Sequence, residues 1–458
     1  MLPEEFRKIA HEAVDWMADY LAHVERYPVL PHIKPGELID ALPRCGPDHG
    51  EPMSTILEDF QRQIVPAATH WNHPGFLAYF AISASGPGIL GEMLSATLNM
   101  NGMLWKTSPA VVELEQVTLE WLRRWMGLPD PLFGIIFDTA STSSMHAIAA
   151  AREMAAPEVR AEGGGAGLVL YTSEQSHSSI EKGAIAIGIG QKNVRKIAVD
   201  DEFRIRTEAL ETAIERDYAS GLRPFCVVAT VGTTSTTSID PVEAIAAIAE
   251  RYGLWMHVDA AYAGVAAIAP EFQHILKGCE RADSLVVNPH KWLFTPVDLS
   301  VLYTRRPEIL RRAFSLVPEY LRTAEDSRAV NFMDYGVPLG HRFRALKLWF
   351  VLRYYGREGI AQMIRNHIAW AQELAQQVDA DGRFERAAPT PLSTVCFRLK
   401  KSDEENQGLL DRVNATGEVF LSHTVLKGQY TLRLAIGNIG TTRAHVQRAW
   451  ELVRANAG

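Results

Sequence analysis

Six short apolar runs constrain the fold of this chain more than any other feature of its sequence. They lack the polar alternation of half-exposed strands, which is typical of strands buried on both faces of a sheet. The runs cover residues 135–137, 168–171, 225–231, 255–258, 284–287 and 300–303. Helical patterns separate them, and the clearest begins at Asp240 and stops at Gly253. This alternation predicts an α/β fold with a mostly parallel sheet, on which ligands bind beyond the carboxyl ends of the strands.

The composition narrows the class of protein without selecting a reaction. The 458 residues are 47% hydrophobic and 22% charged with a net charge of −8, which argues against a disordered chain and against nucleic-acid binding. The four cysteines form no C-x-x-C pair, so we expect reduced thiols in a cytoplasmic protein. The charged N-terminal residues are not typical of a signal peptide, and no apolar stretch reaches the roughly 18 residues of a membrane helix. We therefore expect a cytoplasmic enzyme with no membrane partner.

Three segments of the chain differ in their sequence pattern. An apolar stripe at helical spacing over residues 6–24 predicts a first helix, and the proline-rich stretch 28–52 predicts an extended arm. A further helix around 358–378, followed by weaker strand patterns, indicates a smaller α+β unit. The predicted division is an N-terminal helical arm for dimerisation at 1–85, a large domain at 86–349 and a small C-terminal domain at 350–458.

Small polar residues follow the first apolar run, from Asp138 to Ser144. At a turn from a strand into a helix, such residues leave backbone N–H groups free at the helix N-terminus, which suits a phosphate. Ordinary helix capping by Ser and Thr explains the same residues, and for this motif taken alone it is the favoured explanation. No G-K-[ST] follows and no G-x-G-x-x-G occurs after a strand, so a P-loop and a dinucleotide fold are disfavoured.

A carboxylate and a lysine follow two of the later runs. Asp259 comes directly after 255–258, and a buried carboxylate needs a partner such as a cation, a metal shared with His257 or a protonated ring nitrogen. Lys291 follows 284–287 among aromatic residues, where loss of solvent lowers a lysine pKa and favours Schiff-base chemistry, although most lysines are solvated. A phosphate cradle, a buried carboxylate and a buried amine at three strand ends together match the needs of pyridoxal phosphate.

Seven longer motifs resemble the group II pyridoxal-phosphate-dependent decarboxylases, in particular the aromatic L-amino-acid decarboxylase branch that includes aromatic aldehyde synthases. The motifs are HWNHPGFLAYF, WKTSPAVVELE, SEQSHSSIEKG, ATVGTTSTTSID, WMHVDAAYAG, ADSLVVNPHKW and HRFRALKLWFVLRYYG. The resemblance runs almost from end to end. It implies the fold-type-I architecture of aspartate aminotransferase, with a large domain built on a mostly parallel seven-stranded sheet, and a homodimer with shared active sites. The implied reaction converts an aromatic L-amino acid into its amine and CO2.

The resemblance also implies a role for each residue that matches a family motif. Lys291 forms the Schiff base, Asp259 pairs with the pyridine nitrogen, and His177 stacks over the ring. The implied cofactor-binding residues are Ala140, Ser141, His177, Thr234, Asp259, Ala261, Asn288, His290 and Lys291. The implied substrate-binding residues are Trp71, Tyr79, Phe80 and Gly340, with Met103 contributed from the partner chain. A small residue at Gly340 favours tryptophan-like substrates, while phenylalanine, tyrosine and Dopa stay open.

One departure from the family pattern bears on the product. A loop tyrosine of the decarboxylases returns a proton to the substrate carbon after CO2 has left, and an ungapped alignment backwards from residues 338–344 places Phe332 at its position. Phenylalanine has no proton to donate, and in plant relatives this replacement marks aldehyde synthases, which release aldehyde, ammonia and hydrogen peroxide. Phe332 is therefore a candidate catalytic position. Tyr335 takes the role if the register shifts, and simple packing of Phe332 is the alternative.

Two other classes of enzyme stay open at this point. One is a fold-type-I aminotransferase, and Arg433 is suited to bind a carboxylate in an aminotransferase and in a decarboxylase alike. A metal-dependent hydrolase would use His70, His73 and His257, but no third ligand at suitable spacing accompanies His257 and Asp259, so we expect no metal.

Overall fold

A seven-stranded sheet is the centre of the computed structural model, which describes residues 1–164, 167–316 and 328–458. Its strands are β1 (Phe133–Phe137), β2 (Leu168–Ser173), β3 (Val194–Ile197), β4 (Arg223–Thr230), β5 (Trp255–Asp259), β6 (Ser284–Val287) and β7 (Ser300–Thr304). They pair in the order β1-β7-β6-β5-β4-β2-β3, with β7 antiparallel to both neighbours and the other pairs parallel. The predicted α/β fold with a mostly parallel seven-stranded sheet is confirmed.

Helices cover both faces of this sheet. The helices of the described residues are α1 (Pro3–Ala22), α2 (Glu37–Ala41), α3 (Met53–Asp59), α4 (Gly86–Leu98), α5 (Pro109–Trp125), α6 (Ala140–Ala155), α7 (Val159–Glu162), α8 (Ser178–Ala186), α9 (Thr207–Ala219), α10 (Val242–Tyr252), α11 (Pro289–Trp292), α12 (Pro307–Phe314), α13 (Ala345–Ala380), α14 (Asp403–Asn414) and α15 (Arg443–Ala455). One buried cluster joins the sheet to α5, α9, α10 and α13, and another joins it to α6, α8 and α12. Because both faces are covered, the strands read as apolar runs. Among the described helices, none has the length and apolar character needed to cross a membrane.

A second, antiparallel sheet lies near the C-terminus. Its strands are β8 (Phe384–Arg386), β9 (Thr394–Leu399), β10 (Ser422–Leu426) and β11 (Gln429–Ala435), paired in the order β10-β11-β9-β8. The sheet packs with α14, α15 and the second half of α13 around its own apolar core. Leu77, in the predicted arm, hydrogen-bonds to Phe420 and Ala435 and so joins this unit. The predicted boundary at 349/350 falls inside α13, which breaks at Gly356 (φ 65°) instead, and the division into domains stays a prediction.

Five buried histidines make the stability of the fold depend on pH. Burial lowers the pKa of His73, His146 and His257 to about 4, and that of His290 and His367 to about 3. An unfolded histidine titrates near pH 6.5. Between pH 6.5 and the lower pKa values of the folded state, the unfolded chain therefore binds more protons than the folded chain. The stability from these neutral rings is fully present above about pH 6.5 and is lost as the pH falls through this window, with an upper limit of about 1.4 kcal/mol per histidine per pH unit.

Urea unfolding tests this dependence on pH. We expect the free energy of unfolding to be several kcal/mol lower at about pH 5 than at about pH 7.5. Equal values at the two pH values would contradict the neutral burial of these rings.

Candidate active site

A cavity of about 440 Å³ lies where β1, β4, β5 and β6 end. All nine predicted cofactor-binding residues line it. The remaining lining residues are Tyr79, Phe80, Thr139, Ser179, Thr230, Gly232, Ser235, Tyr262, Ser422, His423, Thr424 and Arg433. The three strand ends singled out in the sequence therefore meet at one cavity, which the small sheet closes on the other side.

Lys291 lies in the one-turn helix α11, directly after β6. Its backbone N–H donates to the Asn288 carbonyl at 2.9 Å, and its Nζ lies 5.4 Å from the centre of the Phe80 ring. Burial lowers the pKa of Lys291, the Asp259 carboxylate opposes this shift and the Arg433 guanidinium adds to it. A lowered pKa increases the fraction of neutral amine, which is the nucleophilic form.

Asp259 is the last residue of β5 and is only 5% exposed. One of its carboxylate oxygens, Oδ1, accepts the Ala261 N–H at 3.1 Å, and the side chain lines the cavity. This bond fixes the carboxylate at the strand end. A carboxylate held there is suited to pair with a protonated ring nitrogen, which offsets the cost of its burial.

The N-terminus of the 16-residue helix α6 forms one wall of the cavity through Ala140 and Ser141. Thr139 caps this helix, with its hydroxyl accepting the Thr142 N–H at 3.4 Å. Backbone N–H groups at such a terminus favour an anion. The capping explanation is thus correct for Thr139, and it leaves Ala140 and Ser141 available to a phosphate.

Asn288 and His290 add hydrogen-bond donors to the same wall. The Leu299 N–H donates to His290 Nδ1 at 2.9 Å, so the proton of the neutral ring is on Nε2, which lies 3.3 Å from Asn288 Nδ2. Asn288 Oδ1 is buried and has no hydrogen-bond partner among the described residues. Exchanging the two amide atoms lets His290 donate to Oδ1 and leaves the NH2 group as a free donor. An unsatisfied amide beside a helix N-terminus fits a site for an anionic group.

His177 is the N-cap of α8. Its Nδ1 accepts the Ser179 N–H at 3.2 Å and lies 2.8 Å from the Ser179 hydroxyl, so the proton of the neutral ring is on Nε2. Partial loss of solvent around the ring, followed by the charge of Lys291, lowers the pKa of His177. The ring is therefore held neutral at the cavity wall, with one N–H available as a donor.

Two of the predicted substrate-binding residues line this cavity and three do not. Tyr79 and Phe80 line it, and Tyr79 has a φ of 51°, a strained value for a bulky residue that is typical of functional sites. Trp71 stacks on Tyr79 from behind, with ring centres 6.1 Å apart. Met103 and Gly340 lie together elsewhere and both adjoin Asn101. Their part in a pocket depends on a second chain and stays a prediction.

Phe332 does not reach the cavity of its own chain. Its side chain is 2% exposed, stacks on His341 with ring centres 4.4 Å apart, and packs with Ile135 and Phe137 of β1. Tyr335 stacks on Phe133 at 4.6 Å. This burial favours the packing explanation, and a catalytic role for Phe332 stays a prediction.

The histidines of the metal alternative are engaged by other groups. His257 Nδ1 and Nε2 lie 2.9 and 3.1 Å from the hydroxyls of Ser284 and Ser144, and His73 Nδ1 accepts the Gly75 N–H. In the described ranges, no three His, Cys, Asp or Glu side chains are grouped as metal ligands.

Arg433 lines the cavity, and the structure shows contacts of its side chain that the sequence did not predict. It is 4% exposed, its Nε donates to the Ser235 carbonyl at 2.9 Å, and its guanidinium lies 4.5 Å from the centre of the Phe80 ring. Its Nη1 donates to the Tyr79 carbonyl, while Nη2 has no hydrogen-bond partner among the described residues. A buried cation with a free N–H at the cavity suits a carboxylate.

Comparison with known proteins agrees with this geometry. The chain matches the pyridoxal-dependent decarboxylase conserved domain over residues 35–400. It is 43% identical to tryptophan decarboxylase TDC2 of Camptotheca acuminata, over 99% of this chain and 95% of that protein. It is 41% identical to the phenylacetaldehyde synthase of Arabidopsis thaliana, over 99% and 96%. The crystal structure of Oryza sativa TDC with PLP and tryptamine superimposes with a TM-score of 0.97 at 36% identity, covering 100% of this chain and 98% of that one.

The lysine, the carboxylate and the anion-binding helix terminus thus meet in a chain whose sequence and fold both match one group of enzymes. This chain belongs to the pyridoxal-dependent decarboxylase family.

Proposed function

We propose that this chain removes the α-carboxylate of aromatic L-amino acids as CO2, with pyridoxal phosphate held beside Lys291. The observation that carries the proposal is that Lys291, Asp259 and the N-terminus of α6 line one cavity with an aromatic wall of Tyr79 and Phe80. The names of relatives at 40–43% identity refer to tryptophan, tyrosine and aromatic L-amino acids, which supports this substrate class.

Each group of the cavity has one task toward the cofactor. When bound, pyridoxal phosphate supplies an aldehyde that Lys291 captures and a ring that accepts the electron pair of the broken bond to the carboxylate. Asp259 would hold the proton of the ring nitrogen, and Ala261 would pack against the ring. The α6 terminus and Asn288 would bind the phosphate oxygens. The neutral His177 would lie beside the ring without adding a charge.

The remaining groups act on the substrate. Arg433 offers its free Nη2 to a carboxylate, and its stacking on Phe80 keeps the guanidinium in place. Tyr79 and Phe80 present aromatic surface to the substrate side chain. Fixing both ends of the amino acid orients the bond that breaks, and such orientation is a major source of rate enhancement.

We infer that the active unit is a homodimer. Leu90, Leu94 and Leu98 form an exposed stripe on α4, and Phe6 and Val14 are exposed on α1. Apolar stripes of this kind mark association surfaces. The cavity wall at His177 and Thr234 is exposed in a single chain, which is consistent with a partner that completes the site. Sedimentation equilibrium should give twice the 50.9 kDa mass of one chain, and a monomer that is fully active would overturn this inference.

We also place the enzyme in the cytoplasm. Cys226, Cys279 and Cys396 are buried free thiols, and Cys45 is exposed and free. Four unpaired cysteines suit a reducing compartment.

The product is the main point on which the relatives differ. Decarboxylases and a phenylacetaldehyde synthase match this chain at almost equal identity, so the amine is the first proposal and the aldehyde is the second. Product analysis with L-Trp, L-Tyr, L-Phe, L-Dopa and 5-hydroxytryptophan decides between them. Amine without peroxide supports a decarboxylase, and aldehyde with equimolar peroxide supports an aldehyde synthase. A 2-oxo acid in place of both would indicate an aminotransferase.

A Phe332→Tyr variant tests whether Phe332 sets the product. Because Phe332 is buried against His341, we expect an unchanged ratio of amine to aldehyde and a loss of stability of about 1–3 kcal/mol from the buried hydroxyl. The matched comparison is Tyr320→Phe. It makes the reverse change, the loss of a hydroxyl, at the one tyrosine in the stretch 317–327. Product analysis of both variants is the measurement. A shift toward amine in Phe332→Tyr would restore Phe332 as the residue that determines the product.

A further inference from the structure

A row of four rings leads from the cavity to helix α13. Phe80 stacks on Tyr262 with ring centres 3.8 Å apart, and Tyr262 stacks on Trp292 at 4.7 Å with an angle of 4° between the planes. Trp292 in turn lies parallel to His367 at 6.4 Å. The Phe80 end of the row lies beneath the Lys291 amine. The row therefore connects the surroundings of the reacting amine to a long helix outside the cavity.

A hydrogen bond fixes the far end of this row. The indole Nε1–H of Trp292 donates to His367 Nδ1 at 2.9 Å, and both residues are buried, at 0% and 3% exposed. Burial lowers the pKa of His367 to about 3, so the ring is neutral at neutral pH and Nδ1 is free to accept. Indole has a single donor and no acceptor, and without His367 this donor would be buried and unpaired.

Trp292 directly follows Lys291 in the sequence, and both residues lie in helix α11. This helix is four residues long, and its backbone hydrogen bonds include those of Lys291 to Asn288 at 2.9 Å, Leu293 to Pro289 at 3.2 Å and His290 to Leu299 at 3.5 Å. A helix of one turn is not stable by itself and takes its position from the packing of its side chains. Anchoring the large Trp292 side chain therefore sets the direction in which Lys291 leaves the backbone.

We propose that His367 is a positioning residue for Lys291, acting through the Trp292 indole. It does not line the cavity, so it touches neither substrate nor cofactor, and its effect reaches the amine along α11. The inference rests on the proposed function, in which Lys291 captures the aldehyde of pyridoxal phosphate. A displacement of about 1 Å at a reacting group costs on the order of a hundredfold in rate, so a partial loss of this anchor should be easily measured.

The test compares two substitutions at one position. His367→Leu removes the acceptor, whereas His367→Asn keeps an oxygen near the place of Nδ1. Ile364→Val is the control, since it removes one methylene from a fully buried residue of the same helix and changes no hydrogen bond. The first readout is the rate at which each apoprotein forms a borohydride-reducible adduct with added pyridoxal phosphate. The second is the pair of constants kcat and KM.

We expect adduct formation and kcat to fall about tenfold in His367→Leu, with KM changed less than about twofold. His367→Asn and Ile364→Val should stay within about twofold of the wild type. Trp292→Phe, which keeps a stacking ring and removes the donor, should fall like His367→Leu, and the double variant should fall no further. This second route keeps the inference testable if His367→Leu fails to fold.

Two results would overturn the inference. The first is a folded His367→Leu protein with wild-type rates. The second is a His367→Asn protein as slow as His367→Leu, which would mean that ring volume and not the acceptor is important. Failure of the proposed function is distinguishable from both, because the wild-type protein itself would then form no adduct and release no CO2.

Discussion

Replacing Lys291 with alanine is expected to abolish CO2 release, with a fall of roughly 10⁴-fold or more, because no other amine lines the cavity among the described residues. The fold should survive, since the side chain is partly exposed at the cavity and no hydrogen bond of its amine holds two elements together in the described part of the chain. The Lys291→Ala protein should also lose the absorbance band that borohydride bleaches in the wild type.

A fully buried lysine outside the cavity provides the matched control. Lys347 is 1% exposed, and its Nζ lies 2.9 Å from the Glu92 carboxylate in the packing of α4 against α13. Lys347→Met should lower the melting temperature, because it leaves Glu92 without this partner, and should retain the reducible band. Persistence of the band in Lys291→Ala, or its loss in Lys347→Met, would show that Lys291 is not the residue that captures the cofactor.

Replacing Asp259 with asparagine is expected to have the second largest effect. Asparagine has the same shape and keeps an oxygen for the Ala261 N–H, so the end of β5 should keep its structure. It loses the negative charge that holds a proton on the ring nitrogen, and we expect kcat to fall on the order of 10²–10³-fold. Pyridoxal phosphate should still bind, because the groups around its phosphate are unchanged.

Asp240 supplies the control for this substitution. It is 2% exposed, does not itself line the cavity, and accepts the N–H groups of Ile205 and Thr230, each at 2.8 Å. Asp240→Asn should therefore reduce stability while the folded protein keeps its kcat. A measured fall of less than about threefold in Asp259→Asn would remove the charge of Asp259 from the account.

The seven-stranded sheet could be predicted from the sequence because strands buried on both faces appear as continuous apolar runs. All six apolar runs became strands. The strand of the seven-stranded sheet that no run predicted is β3. In it Val194 and Ile197 flank two basic residues, and it pairs only with β2 at one edge of the sheet. Only Ile197 of its four residues is buried, so β3 carries no apolar run, and four residues are too few to show a period.

The cavity was predictable to the extent that it is built from strand ends. Residues after β1, β5 and β6 were found because the carboxyl ends of parallel strands share one edge. Ser422 and Thr424 approach the cavity through the packing of the small sheet, more than 130 residues after Lys291, and nothing local marks them. The free N–H of Arg433 and the hydrogen bond between Trp292 and His367 also depend on tertiary packing, so the sequence did not predict them.

The packing of Phe332 is a feature that the sequence did not predict. An ungapped alignment assigned this residue to a catalytic position, but the register of a short loop is set by what its residues pack against. In the structure a turn at Phe332–Tyr335 places the ring against His341, and Asp334 accepts the hydroxyl of Ser315 at 3.0 Å. Packing of this kind is invisible to sequence spacing.

Release of labelled CO2 tests the central claim most directly. Wild-type enzyme with pyridoxal phosphate and a carboxyl-labelled aromatic L-amino acid should release one labelled CO2 for each amino acid consumed, and the Lys291→Ala protein should release none. Label retained in a 2-oxo acid, or equal release by the Lys291→Ala protein, would contradict the account.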